Sequence, residues 1–349
     1  MITGDLDRLL AAEIGRGPAA AARITPAGTW HRAPPGGPSG PGIYATPVAF
    51  RLAPALGTDP ASAAAPLAAA LARADWVAAA AVTGGGHLTV AVTAGALARL
   101  AVRITQAGPA CARGTALAGR RVPAPPAPDL AAAAGWGQAR RQLAAFLTGR
   151  LAEVAGARPV PSDHAERKQG PALAPGAPGA VASALAFAGA GAVRFALARL
   201  PPGAPARVDP WLAAAHHLGN PAYAVRYAHA HAVSALRQAA DLGLSPGEAA
   251  GFEPRLLAHP SERALLDELS WLAERVAGAA RRARPDVLAR YLEHLAGAYF
   301  DCQEQNPAVW PGMDEGGPGA VARLWLAAAA ATALRTGLGL LGVDAPDRL

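Results

Sequence analysis

Lysine is almost missing from this 349-residue chain: Lys168 stands alone among 32 basic residues, so arginine carries nearly all of the positive charge. Abundant Ala, Gly and Pro accompany that skew, the mark of a GC-rich genome, so part of the arginine excess reflects codon usage. Cysteine is equally scarce. Cys111 and Cys302 are too few and too far apart for a disulfide framework or a zinc cluster, and both read as packed thiols. Long hydrophobic runs are lacking as well. No apolar stretch reaches roughly 18 residues without an ionisable group, and the start MITGDLDRLLAAE carries charges where a secretory signal needs apolar residues. The expectation is a cytoplasmic chain with no membrane contact. His216 and His217 have no carboxylate or cysteine at ligand spacing, so no metal site and no cofactor are expected.

What is present suffices for buried cores: 52% of the residues are hydrophobic, and the length allows two or three domains. The net charge of +7 is compatible with a polyanionic partner. Its distribution is uneven. Residues 1–104 hold 8 basic and 5 acidic side chains, residues 105–186 hold 9 and 4, and residues 187–349 hold 15 and 16, so the excess lies in the first half.

The patterning predicts a mainly α chain with a small α+β N-terminal domain, an irregular middle and a C-terminal helical bundle. In residues 1–104, Leu6, Leu9, Leu10 and Ile14 form a helical stripe, followed by a Pro/Gly-rich loop at 34–42. A second helix is expected over about Ala45 to Leu56, and a third from Asp59-Pro60, where Asp caps and Pro takes the first helical position. VAAAAV and HLTVAV then read as a strand pair around Gly84-Gly85-Gly86. Residues 105–186, with PAPPAP and PALAPGAPG, read as long loops around one amphipathic helix over about 138–155, with Leu143, Phe146, Leu147 and Leu151 on one face.

Residues 187–349 read as four apolar helices that bury each other. Asn220-Pro221 starts the first, which runs to about Leu242. Ser261 caps the second, with Leu265, Leu269, Leu272 and Val276 in line. Pro285 starts the third, with Leu288, Leu292, Leu295 and Tyr299. The last, from about Gly319 to Gly337, carries Leu324, Ala328, Ala331 and Leu334.

Several segments carry a resemblance. Residues 220–231, NPAYAVRYAHAH, resemble the NPxYYVQYAHAR signature of arginyl-tRNA synthetases at the start of their DALR anticodon-binding domain. ARYLEHLAGAY at 289–299 and the closing GLGLLGVDAPDRL are similar to the same family, as is GAVRFALARLPPGAPARVD at 191–209. Near the N-terminus, GIYATPVAFRLA and VTGGGHLTVAV resemble the family's appended domain, which contacts the outer corner of the tRNA. The middle does not follow. A class I synthetase needs a nucleotide-binding parallel sheet, a HIGH motif and a lysine-bearing KMSKS loop. Only about 80 residues separate the two similar ends, against on the order of 150 for such a domain, so residues 105–186 read as a degenerate remnant of it. His217-Leu218-Gly219-Asn220 fits HIGH loosely, by chance, and the AERKQG stretch at 165–170 lies where the family's lysine loop would lie.

The resemblance implies tRNA, specifically tRNA-Arg, as partner, bound without aminoacylation and with no catalytic residues. Arginine-tRNA ligase activity completed by a partner chain, and a protein-interaction scaffold, are the alternatives. A tRNA-modifying enzyme or a true synthetase are the further partners it suggests. Tyr223 and Tyr227 share a helix face, where one could stack on an unstacked base or both could pack into the bundle. Arg226 and His231 replace the family's Gln and Arg. His87 and Thr89 stand where the appended domain has its aromatic-asparagine pair. Arg281 and Arg282, with Arg284, form a basic cluster that could meet phosphates or simply be a solvated helix end. His229 reads as a hydrogen-bonded structural histidine.

Overall fold

The computed structural model describes residues 1–16, 29–32, 39–162, 179–309 and 317–349. Helix α1 (Ile2–Arg16) buries Leu6, Leu10 and Ile14, as their spacing requires. Strand β1 (Ile43–Thr46) leads into α2 (Val48–Leu56), then α3 (Pro60–Leu71), β2 (Val77–Thr83) and β3 (His87–Val92). The sheet order is β1-β3-β2, antiparallel throughout, with Tyr44 opposite Val90 and Val82 opposite Leu88. Helices α2 and α3 cover the sheet, and α1 packs on α3.

The helix expected from Ala45 starts later, because Pro47 lacks an N–H and biases Thr46 toward extended backbone. Asp59 caps α3 as expected, its carboxylate accepting the Ser62 N–H at 2.9 Å. In the turn between β2 and β3, Gly86 has φ +140°, and a methyl there would fall 2.5 Å from Pro60 Cβ. Only glycine lets that turn close on α3.

Helices α4 (Ala94–Ala98) and α5 (Leu100–Ala107) lead through a 3-10 turn to the middle segment. That segment is more ordered than its composition suggests. Strands β4 (Arg121–Ala124) and β5 (Arg158–Pro161) pair in parallel, and α6 (Trp136–Val154) connects them as a βαβ unit. Each strand is four residues long and contains proline, so neither alternation nor β-branched content betrays it. Leu143, Leu147 and Leu151 are buried and Phe146 half-buried, as expected. Gly149 allows close contact, since a methyl there would lie 2.7 Å from the Pro123 carbonyl oxygen. The AERKQG stretch at 165–170 lies outside the described residues, as does most of the 34–42 loop.

The remaining helices are α7 (Ala180–Ala188), α8 (Ala190–Arg199), α9 (Pro210–Ala214), α10 (Pro221–Asp241), α11 (Pro260–Ser270), α12 (Leu272–Arg281), α13 (Pro285–Gln305) and α14 (Pro318–Leu340). The expected stripes are the buried ones: Leu288, Leu292, Leu295 and Tyr299 are fully covered, as are Leu265, Leu269, Leu272 and Val276. Three details differ. His259, not Ser261, caps α11: its imidazole accepts the Ser261 N–H while Glu262 accepts the His259 N–H at 2.9 Å, closing a capping box. Buried Trp271 interrupts the stripe, so one expected helix is two. Gly337 does not end α14. Its bare Cα instead admits Leu292 of α13, whose Cδ2 lies 2.3 Å from where a Cβ would be.

The N-terminal sheet docks directly on α11. Asp267, nearly buried, accepts the Gly42 N–H at 2.9 Å and pairs with Arg32, which also reaches Glu268 at 2.7 Å. The Tyr44 hydroxyl donates to Ser270 Oγ at 2.8 Å, and its ring lies 5.1 Å from that of Trp271. One contiguous apolar core consequently runs from Ile2 to Val343.

Both cysteines are buried thiols whose pKa burial raises, that of Cys302 to about 12. Among the described residues no group of three metal-ligating side chains comes together. No single helix there is long and apolar enough to cross a membrane, although α7 and α8, bent by 119°, together pass that test by length and composition.

Candidate nucleic-acid interface

The start of α10 is fixed by one buried amide. Asn220 Oδ1 accepts the Ala222 N–H at 3.1 Å, while Nδ2 donates to the Ala213 and Ala215 carbonyls at 3.0 and 2.8 Å. Pro221 at the first helical position needs no N–H acceptor there. This cap ties the loop carrying His216 to the helix carrying the tyrosines, and the rings line up as a result.

His216, exposed, stacks on Tyr223 with centroids 5.4 Å apart and planes at 18°. Tyr223 stacks on Tyr227 at 5.7 Å and 8°, and Tyr227 on Phe300 of α13 at 5.8 Å and 28°. His231 stands edge-on to Tyr227 at 6.1 Å, and its Nδ1 shares a 2.9 Å hydrogen bond with the Tyr299 hydroxyl. The spacing of four places positions 223, 227 and 231 on one helix face. Both tyrosines are half-buried, and neither hydroxyl has a partner among the described residues. The ladder thus presents flat, partly solvated rings whose polar tips face water. Such a surface accepts an unstacked base or another aromatic plane.

Arg226, on the same helix, is half-buried, and its Nε lacks a hydrogen-bond partner. His231 is held neutral: burial lowers its pKa, and the buried Tyr299 phenol, whose pKa burial raises, keeps its proton. His229 is fully buried and structural. Its Nδ1 bonds the Pro346 carbonyl at 3.1 Å, Arg335 Nε donates to its Nε2 at 3.2 Å, and burial lowers its pKa. His217 merely accepts the Gly219 N–H at 3.0 Å in the loop before α10.

The other candidates lie elsewhere. His87 is half-buried on β3, in edge contact with Phe50 at 4.9 Å and His31 at 5.9 Å. Thr89 is buried and spent on Thr83, their hydroxyls 2.7 Å apart, so its side chain is not offered at the surface. Arg281 and Arg282 are exposed at the end of α12, but Arg284 turns away to a two-pronged pair with Asp286 at 2.8 and 2.7 Å.

Sequence reasoning missed Phe300 and Tyr299, which join the ladder from another helix, and His216, which reaches it through the loop. It also missed an exposed apolar pair, Trp211 and Phe187, whose rings meet at 4.6 Å. Of these, only His216 carried a local signal, its seven-residue distance from Tyr223 across the Asn220 cap.

Residues 225–349 match the DALR anticodon binding domain. The arginine–tRNA ligase of Micrococcus luteus is 40% identical over 166 residues, which is 46% of this chain and 29% of that relative. That of Paenarthrobacter aurescens is 38% identical over 169 residues, 47% of this chain and 30% of its own length. The matched stretch therefore spans less than a third of these relatives. Among solved structures, Thermus thermophilus arginyl-tRNA synthetase superposes with a TM-score of 0.69 at 16% identity, with 100% of each chain covered, a likeness of fold.

Proposed function

We propose that this chain, whose residues 225–349 match the DALR anticodon binding domain and which is similar in part to arginine–tRNA ligases, binds tRNA, with tRNA-Arg the expected species, and does not aminoacylate it. The observation that carries this reading is the stacked ladder His216–Tyr223–Tyr227–Phe300, with free phenol tips, on helices of which most match an anticodon-binding domain. Unstacked loop bases find in such a ladder a π surface worth about 1–3 kcal/mol per base. His87 of β3 with Phe50 of α2 is a second, smaller aromatic surface in the N-terminal part, suited to a nucleotide elsewhere on the same RNA.

The absence of aminoacylation is supported by the middle of the chain. Between the two ends that resemble the family, the described residues form one βαβ unit with two four-residue strands. A doubly wound nucleotide site needs several such units and a switch point between them. Lys168, the sole lysine, has no second lysine to assist it in neutralising a phosphate.

Two measurements test the proposal. Equilibrium binding of tRNA at about 0.1 M salt should be saturable and should weaken steeply as salt rises; an unsaturable or absent signal refutes tRNA binding. Arginine-dependent ATP–pyrophosphate exchange by the isolated chain should stay at background, and turnover above it refutes the non-catalytic reading.

A further inference from the structure

Five arginines that play no part in the ladder lie on two elements of the fold: Arg120, Arg121 and Arg158 at the starts of β4 and β5, and Arg281 and Arg282 at the end of α12, where the charge of Arg120 acts on Arg281. Arg121 and Arg158 stand directly across from each other in the β4–β5 pair, and the Arg120 carbonyl accepts the Arg158 N–H at 2.8 Å. Arg281 and Arg282 close α12 and fold back over Gly278: a methyl at that glycine would lie 3.1 Å from Arg282 Nη2 and 4.0 Å from Arg281 Nη2. Two guanidinium groups thus share one small patch of surface.

All five side chains are exposed, and none forms an ion pair among the described residues. Packing around Arg281 lowers its pKa, and the charges of Arg282 and Arg120 act in the same direction, against Glu274 and Asp7. The end of a helix dipole favours a cation by only about 0.3–1 kcal/mol. It explains Arg281 and Arg282 but not Arg120, Arg121 and Arg158 on another element. Like charges directly opposite across strands are destabilising. A cluster of this kind is satisfied by an anion that presents several negative groups in a row.

We propose that the face built from β4, β5 and the end of α12 grips the phosphate backbone of a helical RNA stem, as a second contact independent of the ladder. The inference rests on the tRNA-binding reading. It adds to that reading a binding surface from the middle of the chain, which the resemblance leaves without a role. Phe300 and Pro285 are 15 residues apart on α13, about 22 Å at 1.5 Å per residue. An RNA touching both surfaces must therefore be extended and structured. A short single strand lying on the tyrosines does not reach the arginines.

The test compares wild type with an Arg120→Gln/Arg121→Gln/Arg281→Gln/Arg282→Gln variant. Binding of total tRNA is measured as a function of sodium chloride, alongside binding of a short single-stranded oligoribonucleotide. The variant should bind tRNA at least about tenfold more weakly at 0.1 M salt. Its slope of log K against log salt should be shallower by about 3, near 0.7–0.9 per lost phosphate contact. Its affinity for the oligonucleotide should be unchanged, and its melting temperature at low salt equal to or above that of wild type. A wild-type slope on tRNA, or an equal loss on both RNAs, overturns the proposal while leaving tRNA binding intact. Failure of wild type to bind either RNA overturns the tRNA reading and this one with it. Should the fourfold variant misfold, Arg121→Gln/Arg158→Gln carries the same comparison with a slope change of about half that size.

Discussion

Tyr227 sits at the centre of the ladder, in ring contact with Tyr223, His231 and Phe300. Tyr227→Ala should weaken tRNA binding by about 1–3 kcal/mol, the range for loss of one stacked base. Thr89→Val should leave binding unchanged, because the threonine hydroxyl already faces Thr83. A filter-binding titration of the two variants separates these outcomes, and an unaffected Tyr227→Ala would remove the ladder from the interface. At the same scale, burial holds the pKa of His229 and His231 below that of an unfolded imidazole. As pH falls below about 6.5, the unfolded chain takes up protons before the native one does. The stability of the neutral form is fully present above that pH and is lost on the way down to the native pKa values. The melting temperature should therefore drop between pH 7 and pH 5, and His229→Gln should flatten that slope. A melting temperature constant over this window would show that neither imidazole titrates differently in the two states.

Among elements, the contact between β1 and α11 is the most exacting. Asp267 serves the backbone of Gly42 and the guanidinium of Arg32 at once, and Gly42 itself has φ +81° with Val92 Cγ2 3.2 Å from any added Cβ. Asp267→Ala strands the buried Gly42 N–H and leaves Arg32 with Glu268 alone, an expected loss of about 1–3 kcal/mol in urea unfolding. A change below about 0.5 kcal/mol would mean that water replaces the carboxylate. The end of α12 offers the opposite case. Ala283 takes φ +50°, a left-handed conformation normally given to glycine after a helix. Ala283→Gly relieves that strain, against the added chain entropy of glycine, and should stabilise the protein by up to about 1 kcal/mol.

At the scale of the whole molecule, one large apolar core joins the sheet, the βαβ unit and the bundle, with a small second cluster around Ala239 and Leu324. Thermal unfolding followed by calorimetry should accordingly show one cooperative transition, with the calorimetric enthalpy close to the van't Hoff value. Two resolved transitions would place a weak joint between the N-terminal sheet and α11. Charge is distributed differently from hydrophobicity. The bundle beyond residue 187 is nearly balanced, while the first half and the middle carry the excess.

Local patterns were enough for the elements whose cause is local. The stripes of α1, α6, α11, α12 and α13, the caps at Asp59 and Asn220 and the β2–β3 pair depend on periodicity and on single side chains bonding to nearby backbone. The tyrosine face of α10 was legible for the same reason, a spacing of four. Tertiary structure alone decided the rest, because the forces involved act between segments far apart in sequence. Phe300 and Tyr299 reach the ladder only when α13 packs on α10. Strands as short as β4 and β5 exist only as a pair held under α6. Thr89 is removed from the surface by a partner on the neighbouring strand. Arg120 of the middle comes within electrostatic reach of Arg281 on α12 only once the core has closed, since charge patterns along a chain carry no record of which faces will adjoin.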